Sequence, residues 1–168
     1  MRLLPIAAAV LSVVPLASAA RAQAASADPQ SVAACTFDDG KEISVRYNPD
    51  MAGRDKELPN GKIFPEDNPM LLFTQGATTL GGSTIPVGAF SMYLIPGKDD
   101  WTLIVNRNVT SGSKYDPTQD LARASMKTAK LDNPLNHLKI SLGHLAAQQC
   151  EIRVYYGKIG AWTEFKEP

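Results

Sequence analysis

Apolar and polar residues alternate with a period of two in several short stretches of this chain, and this alternation constrains the fold more than any other feature. In residues 42–47, Ile43, Val45 and Tyr47 fall on one face of an extended chain, and the residues between them are polar. The same pattern recurs in residues 138–143 and 150–156. Because successive side chains of a strand point to opposite faces, each stretch is typical of a strand with one buried and one wet face.

Turn signals separate these stretches. Asp38-Asp39-Gly40 is typical of a hairpin turn, and Gly81-Gly82 marks another. Residues 120–129 could form a helix, but the strict alternation of Ala122, Ala124 and Met126 favours a strand. The predicted strands cover residues 31–37, 41–47, 70–80, 84–87, 90–95, 101–106, 121–131, 138–142, 150–156 and, at an edge, 161–165. Some eight to ten short strands predict an all-β fold, either an antiparallel β-sandwich or a partly open barrel.

The N-terminus carries a pattern of a different kind. Arg2 precedes an apolar stretch at residues 3–16, and small residues then offer three cleavage motifs, ending at residues 19, 22 and 24. This order is typical of a secretory signal peptide. The apolar stretch is shorter than the roughly 20 residues of a membrane-spanning helix. We therefore predict a signal peptide at residues 1–22, a flexible leader at 23–30 and one β domain at 31–168, exported to the periplasm or secreted, with no membrane span after signal removal.

The charge of the mature chain excludes one class of partner. Removing residues 1–22 takes away Arg2 and Arg21, so Lys+Arg falls from 17 to 15 against 17 Asp+Glu, for a net charge of −2. Nucleic-acid-binding proteins usually carry a basic excess. We expect no nucleic-acid partner and no attraction to an anionic membrane surface.

The chain has two cysteines, Cys35 and Cys150. An even count in an exported protein favours a disulfide. Cys150 shares its parity with Ile152 and Val154, and Cys35 shares its parity with Phe37, so both thiols can point to the core. The bond requires the first strand to lie beside the strand that begins at Cys150, or across the core from it. The alternative is two free buried thiols.

From about residue 33 to its C-terminus the chain resembles a known family. The segments that carry the resemblance are residues 34–41 (ACTFDDGK), 77–80 (ATTL), 85–93 (IPVGAFSMY), 95–96 (IP), 101–106 (WTLIVN), 115–116 (YD), 120–123 (DLAR) and 126–127 (MK). In this order they are similar to the domain-of-unknown-function family numbered 2911, which is found in exported bacterial proteins. The resemblance implies a β-rich exported domain, and it implies no activity.

Two segments depart from the family pattern. Family members usually carry a Trp-Arg pair and a Gly-Ala-Asn-Glu run before the Ala-Thr-Thr stretch, whereas residues 70–76 here read MLLFTQG. If the polar residues of that segment form a site in relatives, we expect that this chain lacks it. The loop at residues 53–55 is also rebuilt, and residues 56–61 read like an insertion.

The residues most suited to chemistry do not form a recognisable site. His137 and His144 are an odd number of residues apart in a strand region, which puts them on opposite faces and argues against a shared metal ion. Asp38-Asp39 and Asp99-Asp100 lie in predicted turns, which Asp favours for its bonds to nearby backbone. Nucleophile motifs and phosphate-binding glycine loops are absent from the sequence. We predict no catalytic residue, metal site or cofactor.

One surface pair could contact a partner. Tyr155 and Tyr156 must face opposite ways in a strand, so one is exposed beside Arg153, either as a contact residue or as an ordinary cross-strand neighbour. Two functions remain open. The first is a non-catalytic binding or structural module with an unknown protein or small-molecule partner. The second is an exported hydrolase-type enzyme that uses acids from the loops at residues 48–69 and 107–120.

Overall fold

The computed structural model describes residues 30–53 and 57–168, so the predicted signal peptide and most of the leader lie outside the described residues. The described residues form nine strands and one short 3-10 helix, Pro117–Gln119. The strands are β1 (Ser31–Thr36), β2 (Glu42–Tyr47), β3 (Met70–Thr74), β4 (Thr78–Leu80), β5 (Ser83–Ile85), β6 (Gly88–Ile95), β7 (Trp101–Asn106), β8 (Asp120–Ala146) and β9 (Gln149–Lys166). The all-β prediction is confirmed.

All the pairings are antiparallel, in the order β1-β2-β3-β6-β7-β8-β9-β4-β5. Strand β8 belongs to two layers, because its first residues pair with β7 and residues 127–146 pair with β9. The first sheet therefore contains β1, β2, β3, β6, β7 and the start of β8. The second sheet contains the rest of β8, β9, β4 and β5. The strands do not close into a barrel, which leaves a sandwich with an open side.

The alternating residues supply the core between the two sheets. Ile43 and Val45 of β2, Leu103 of β7, and Ile152 and Val154 of β9 are fully buried in one cluster. The preference for a strand over a helix at residues 121–131 is also confirmed, since Ala122, Ala124 and Met126 all point into this cluster. The part of the chain that the structure describes contains no helix with the length and apolar character of a membrane span.

Two predicted strand assignments are wrong. Residues 70–80 form two strands, because the chain leaves the first sheet after Thr74 and enters the second at Thr78. Gly76 allows this corner, since a Cβ there would lie 2.5 Å from Cδ of Lys41. Residues 161–165 are the second half of β9, between β8 and β4, and not a separate edge strand.

The two long strands β8 and β9 are the main departure from the expectation of short strands. The sequence pattern breaks at residues 132–137 and 157–160, and a break of alternation predicts a strand end. In the structure the breaks are irregularities in register, between Lys130 and Leu135 and between Leu135 and Lys139. Gly157 opposite them has a φ of 56°, which glycine adopts without strain.

The predicted disulfide is confirmed. Cys35 of β1 and Cys150 of β9 are bonded, with Cα atoms 6.2 Å apart. Each cysteine belongs to the core cluster. Because β1 ends the first sheet and β9 lies within the second, the bond joins the two layers across the core.

Candidate functional site

The described surface has a groove of about 800 Å³, here called the bulge groove. Its walls come from the loop after residue 57, the β6–β7 turn, and the irregular part of the β8–β9 hairpin. The apolar lining residues are Leu58, Pro96, Trp101, Leu135, Tyr156 and Ile159. Trp101 and Tyr156 are buried and form the floor, and Leu58, Leu135 and Ile159 are half-buried around it.

Extra residues in β8 build one wall of this groove. From the Lys130–Ile159 pair to the Leu135–Gly157 pair, β8 advances five residues while β9 advances two. From Leu135–Gly157 to Lys139–Tyr155, β8 advances four and β9 again two. The surplus residues on either side of the Leu135–Gly157 pair have no partner in β9, and Pro134, Leu135 and Asn136 line the groove. Such bulges are common where a side chain is re-aimed toward a binding site.

Backbone hydrogen bonds fix the facing loop. The amide of Gly61 donates to the carbonyl of Pro96 at 2.7 Å, and Phe64 and Leu94 exchange two bonds of 2.7 Å. The hydroxyl of Tyr156 donates to the carbonyl of Gly53 at 2.8 Å. The loop is thus held against both the β6–β7 turn and the floor of the groove, and the groove is preformed.

The rim of the bulge groove is polar but balanced in charge. Asn60 and Asn136 supply two exposed side-chain amides, and Glu57 and Lys158 supply one charge of each sign. An apolar floor with a few polar groups at the rim is the usual character of a site for a small organic ligand.

A second group of side chains forms a polar network on the outer face of the first sheet. The carboxylate of Asp120 accepts hydrogen bonds from Nδ2 of Asn106 at 2.8 Å, from the hydroxyl of Tyr115 at 2.7 Å and from Nε of Arg123 at 2.7 Å. Arg123 also donates to the Tyr115 hydroxyl at 2.5 Å. We call these four residues the Asp120 network.

The Asp120 network holds the loop between β7 and β8 over the sheet. The ring of Tyr115 packs edge-on against Tyr93 with centroids 5.0 Å apart, and Tyr93 is fully buried although it lies outside the core between the sheets. Burial is the main cause that raises the pKa of Tyr115 to about 12, and its bond to Asp120 adds to this. Burial also raises the pKa of Tyr93. Both hydroxyls therefore stay protonated at ordinary pH.

The acids of the two long loops do not converge. Asp116 caps the 3-10 helix by accepting bonds from the amide and the hydroxyl of Thr118, and these bonds lower its pKa. The carboxylate of Asp120 accepts three hydrogen bonds within the Asp120 network. The four described acids of the other loop are exposed, and that loop is tied to Leu94 and Pro96 rather than to the β7–β8 loop. They are Asp50, Glu57, Glu66 and Asp67.

The two histidines lie apart, each beside an oxygen. Nδ1 of His137 is 3.1 Å from Oδ1 of its neighbour Asn136. Nε2 of His144 is 3.0 Å from Oδ1 of Asp38, across from β1, with both side chains largely exposed. Asp39, the other acid of that turn, pairs with Lys41. Among residues 30–53 and 57–168, no three His, Cys, Asp or Glu side chains are placed to hold a metal ion.

The predicted contact residues lie on the outer face of the second sheet. Arg153 is exposed and forms an ion pair with Glu151, Tyr155 is half-buried, and Tyr156 is the buried partner of the tyrosine pair. The ring of Tyr155 lies against Gly160, where a Cβ would be 3.3 Å from the ring. Whether Arg153 and Tyr155 contact a partner stays a prediction. Trp162, on the same face, was missed because residues 161–165 were interpreted as a separate edge strand.

The bulge groove is not apparent from the sequence. Its lining residues come from four separate parts of the chain, and of these residues only Pro96 and Trp101 fall in the segments that carry the family resemblance. The one available signal was Asn133-Pro134, which interrupts an otherwise continuous strand pattern.

Comparison with protein families matches residues 28–164 to a family described as "Protein of unknown function (DUF2911)". No curated protein and no solved structure matches the chain. All four residues of the Asp120 network, together with Tyr93, fall in the segments that carry the family resemblance.

Proposed function

We propose that this chain, which belongs to the DUF2911 family, is an exported, non-catalytic binding module whose ligand occupies the bulge groove. The ligand is an uncharged, amphiphilic organic molecule. Its apolar face packs on Leu58, Leu135 and Ile159, and its hydrogen-bonding groups face Asn60 and Asn136. The observation that carries this proposal is the preformed groove of about 800 Å³ with an aromatic floor.

Size and composition support this choice of ligand. Pockets for small ligands typically have volumes of about 300–1,000 Å³, and the bulge groove lies in this range with polar and apolar surface in similar amounts. The charges of the single acid and the single base at the rim, Glu57 and Lys158, cancel, so the groove has no net charge to attract an ion. A molecule with an apolar body and a few neutral polar groups fits these conditions best.

A binding role accounts for the loop acids better than the hydrolase alternative. A general acid or base needs an accessible carboxyl and a second group within reach of the same substrate atom. Asp116 and Asp120 are engaged in structural hydrogen bonds, and the described acids of the other loop stand apart from them.

Export rests on the N-terminal pattern and on the disulfide, since disulfides persist in oxidising compartments. Mass spectrometry of the protein from its own cells should find a mature N-terminus between Ala20 and Ala25. An intact Met1 on protein in the envelope fraction would contradict export by a cleaved signal.

The groove can be tested with Nile red, an uncharged apolar dye that fluoresces when it leaves water. Leu135 lines the groove but lies outside the half-buried apolar residues that pack against the core, so Leu135→Asn should leave the fold intact. Leu145→Asn is the matched control, since Leu145 is also in β8, is 47% exposed and does not line the groove. Melting temperatures would confirm that both variants are folded.

We expect saturable dye binding to the parent protein and to Leu145→Asn. The affinity should be roughly tenfold lower for Leu135→Asn, because Leu135 is half-buried in the free protein and covering the rest of it contributes about half of the roughly 1.5–3 kcal/mol of a fully buried leucine. Equal binding by the two variants would refute the bulge groove as the site. Absence of saturable dye binding to the parent protein would refute the apolar character of the bulge groove.

A further inference from the structure

A second surface, independent of the bulge groove, lies on the outer face of the second sheet. Trp162 and Tyr155 are half-buried there, on the face of β9 that points away from the core. The Tyr155 ring rests against Gly160, two residues before Trp162. Since alternate residues of a strand are roughly 7 Å apart, the two rings form a row along the strand. We call this surface the β9 face.

Trp162 also lines a shallow groove of about 440 Å³ at one end of the β9 face. Hydroxyls and lysines surround the ring. The hydroxyl side chains are Thr79, Ser125 and Thr163, and the lysines are Lys127 and Lys166. Glu164 lines the same groove. The hydroxyl of Thr79 donates to the carbonyl of Lys166 and that of Ser125 to a carboxylate, each at 3.2 Å, so both remain available as acceptors. The site thus offers one apolar ring together with hydroxyl and ammonium groups.

The charge of the β9 face is opposite to that of the mature chain. Four bases lie on it, namely Lys127, Lys139, Arg153 and Lys166, and two acids, Glu151 and Glu164. The acids pair with Arg153 and with Lys166. Lys127 and Lys139 have no ion pair among the described residues. Asp100 adds a third acid at the end of the face, where its carboxylate accepts a hydrogen bond from Ser125 at 3.2 Å. The face therefore has an excess of one positive charge, whereas the mature chain carries a net charge of −2.

We propose that the β9 face binds a linear acidic polysaccharide. The apolar C–H faces of successive sugar rings would pack on Trp162 and Tyr155, the hydroxyls beside Trp162 would bond to sugar hydroxyls, and Lys127 and Lys139 would pair with sugar carboxylates.

A polysaccharide fits this face better than an acidic peptide. An extended peptide binds a sheet through its backbone at an unpaired edge. Tyr155 and Trp162 project from the face of the sheet and not from an edge, and on that face the backbone of β9 is paired with β8, while β4 pairs with β9 at Lys166. Only side chains are available, and a row of aromatic rings flanked by cations is suited to stacked, charged rings.

The test measures binding of a decamer of galacturonic acid to the purified protein by isothermal titration calorimetry. A neutral maltodextrin of the same length tests the need for carboxylates, and a decamer of glutamate tests whether charge alone suffices. Trp162→Ala and Lys127→Gln probe the face. Lys62→Gln is the control for loss of one exposed lysine, since Lys62 lies in the loop before β3.

We expect the galacturonate decamer to bind the control variant Lys62→Gln and the parent protein with the same affinity. In Trp162→Ala the affinity should fall roughly tenfold, which corresponds to about 1.4 kcal/mol. Lys127→Gln should weaken binding of galacturonate and reduce its salt dependence. Equal affinity for the glutamate decamer, undiminished binding by a folded Trp162→Ala variant, or no binding of galacturonate would each overturn the proposal. The dye titration of the bulge groove is unaffected by any of these results.

Discussion

Reducing the disulfide between Cys35 and Cys150 should lower the melting temperature by about 10–15 °C. The bond spans a sequence separation of 115 residues. For a loop of that length the chain-entropy relation gives about 4.8 kcal/mol at 25 °C, and measured gains are often nearer 3 kcal/mol. Unfolding a domain of about 140 residues has an entropy near 0.3 kcal/mol/K, so each kcal/mol is worth about 3–4 °C.

Three samples separate the cross-link from the packing of the sulfur atoms. The oxidised protein, the reduced protein and the double alanine variant would be unfolded by heat and by urea. Reduction removes the cross-link and leaves both sulfur atoms in the core. The alanine variant also loses the packing of two buried side chains, at about 1 kcal/mol in addition.

The bond also has a predicted local effect. Besides the disulfide and the packing of Ala33 and Phe37 in the core, β1 and the turn after it make two polar contacts with the second sheet. The amide of Asp38 donates to the carbonyl of Ala147 at 3.0 Å, and the Asp38 side chain contacts His144 at the surface. Hydrogen exchange in Ser31–Thr36 should therefore accelerate more than in β7 after reduction. A fall of less than about 3 °C on reduction, with unchanged exchange in β1, would refute the idea that the cross-link holds the layers together.

Three further predictions test other parts of the structure. The pKa of Tyr115 is raised from 10.0 to about 12 in the folded protein. The contribution of Tyr115 to the free energy of unfolding is therefore complete below pH 10 and is lost as the pH rises toward 12. Tyr115→Phe should remove this alkaline loss in urea titrations and cost about 1 kcal/mol at neutral pH. An alanine Cβ at Gly81 would lie 2.2 Å from the carbonyl oxygen of Arg123, whereas Gly82 faces open space; both have positive φ, so Gly82→Ala should cost about 1 kcal/mol and Gly81→Ala at least twice that, and equal losses would contradict the close approach. His137→Ala and His144→Ala should each change the free energy of unfolding by less than about 0.5 kcal/mol, and a metal-dependent melting temperature that either change abolishes would contradict their separate positions.

The sequence predicts the sheets well because the core has a period of two. Ala122, Ala124 and Met126 all point inward, and this parity correctly outweighs their preference for helix. The disulfide follows from the same parity, since Cys150 continues the buried row of β9. Where one face of a strand is buried, the register is strongly specified, so it can be inferred from the sequence.

The corner and the bulge are harder to predict because they break that period. The chain changes sheets at residues 75–77, and the pattern alone does not distinguish such a corner from a continuing strand. In β8 the break at Asn133-Pro134 indicates a strand end, whereas β9 continues to pair on both sides of it. The local sequence pattern does not show whether a strand that is distant in sequence can pair with an irregular segment.

The candidate sites depend on contacts between distant segments. The bulge groove joins Leu58, Trp101, Leu135 and Tyr156, which share no motif and meet only through the tertiary fold. The Asp120 network is easier to predict from the sequence, since its four residues fall in the segments that carry the family resemblance. Those segments identify the residues, but the bulge between Val105 and Asn106 that pairs Asn106 with Asp120 is a property of the folded sheet.

Native mass spectrometry of the protein purified from its own cells tests the central claim most directly, by comparing the parent protein with Leu135→Asn. If the bulge groove holds an uncharged organic ligand, the parent protein should carry an added mass that organic solvent releases, and Leu135→Asn should carry little or none. The same added mass on both proteins would contradict the assignment of the groove, and no added mass on either would contradict the claim that the groove is a ligand site in the cell.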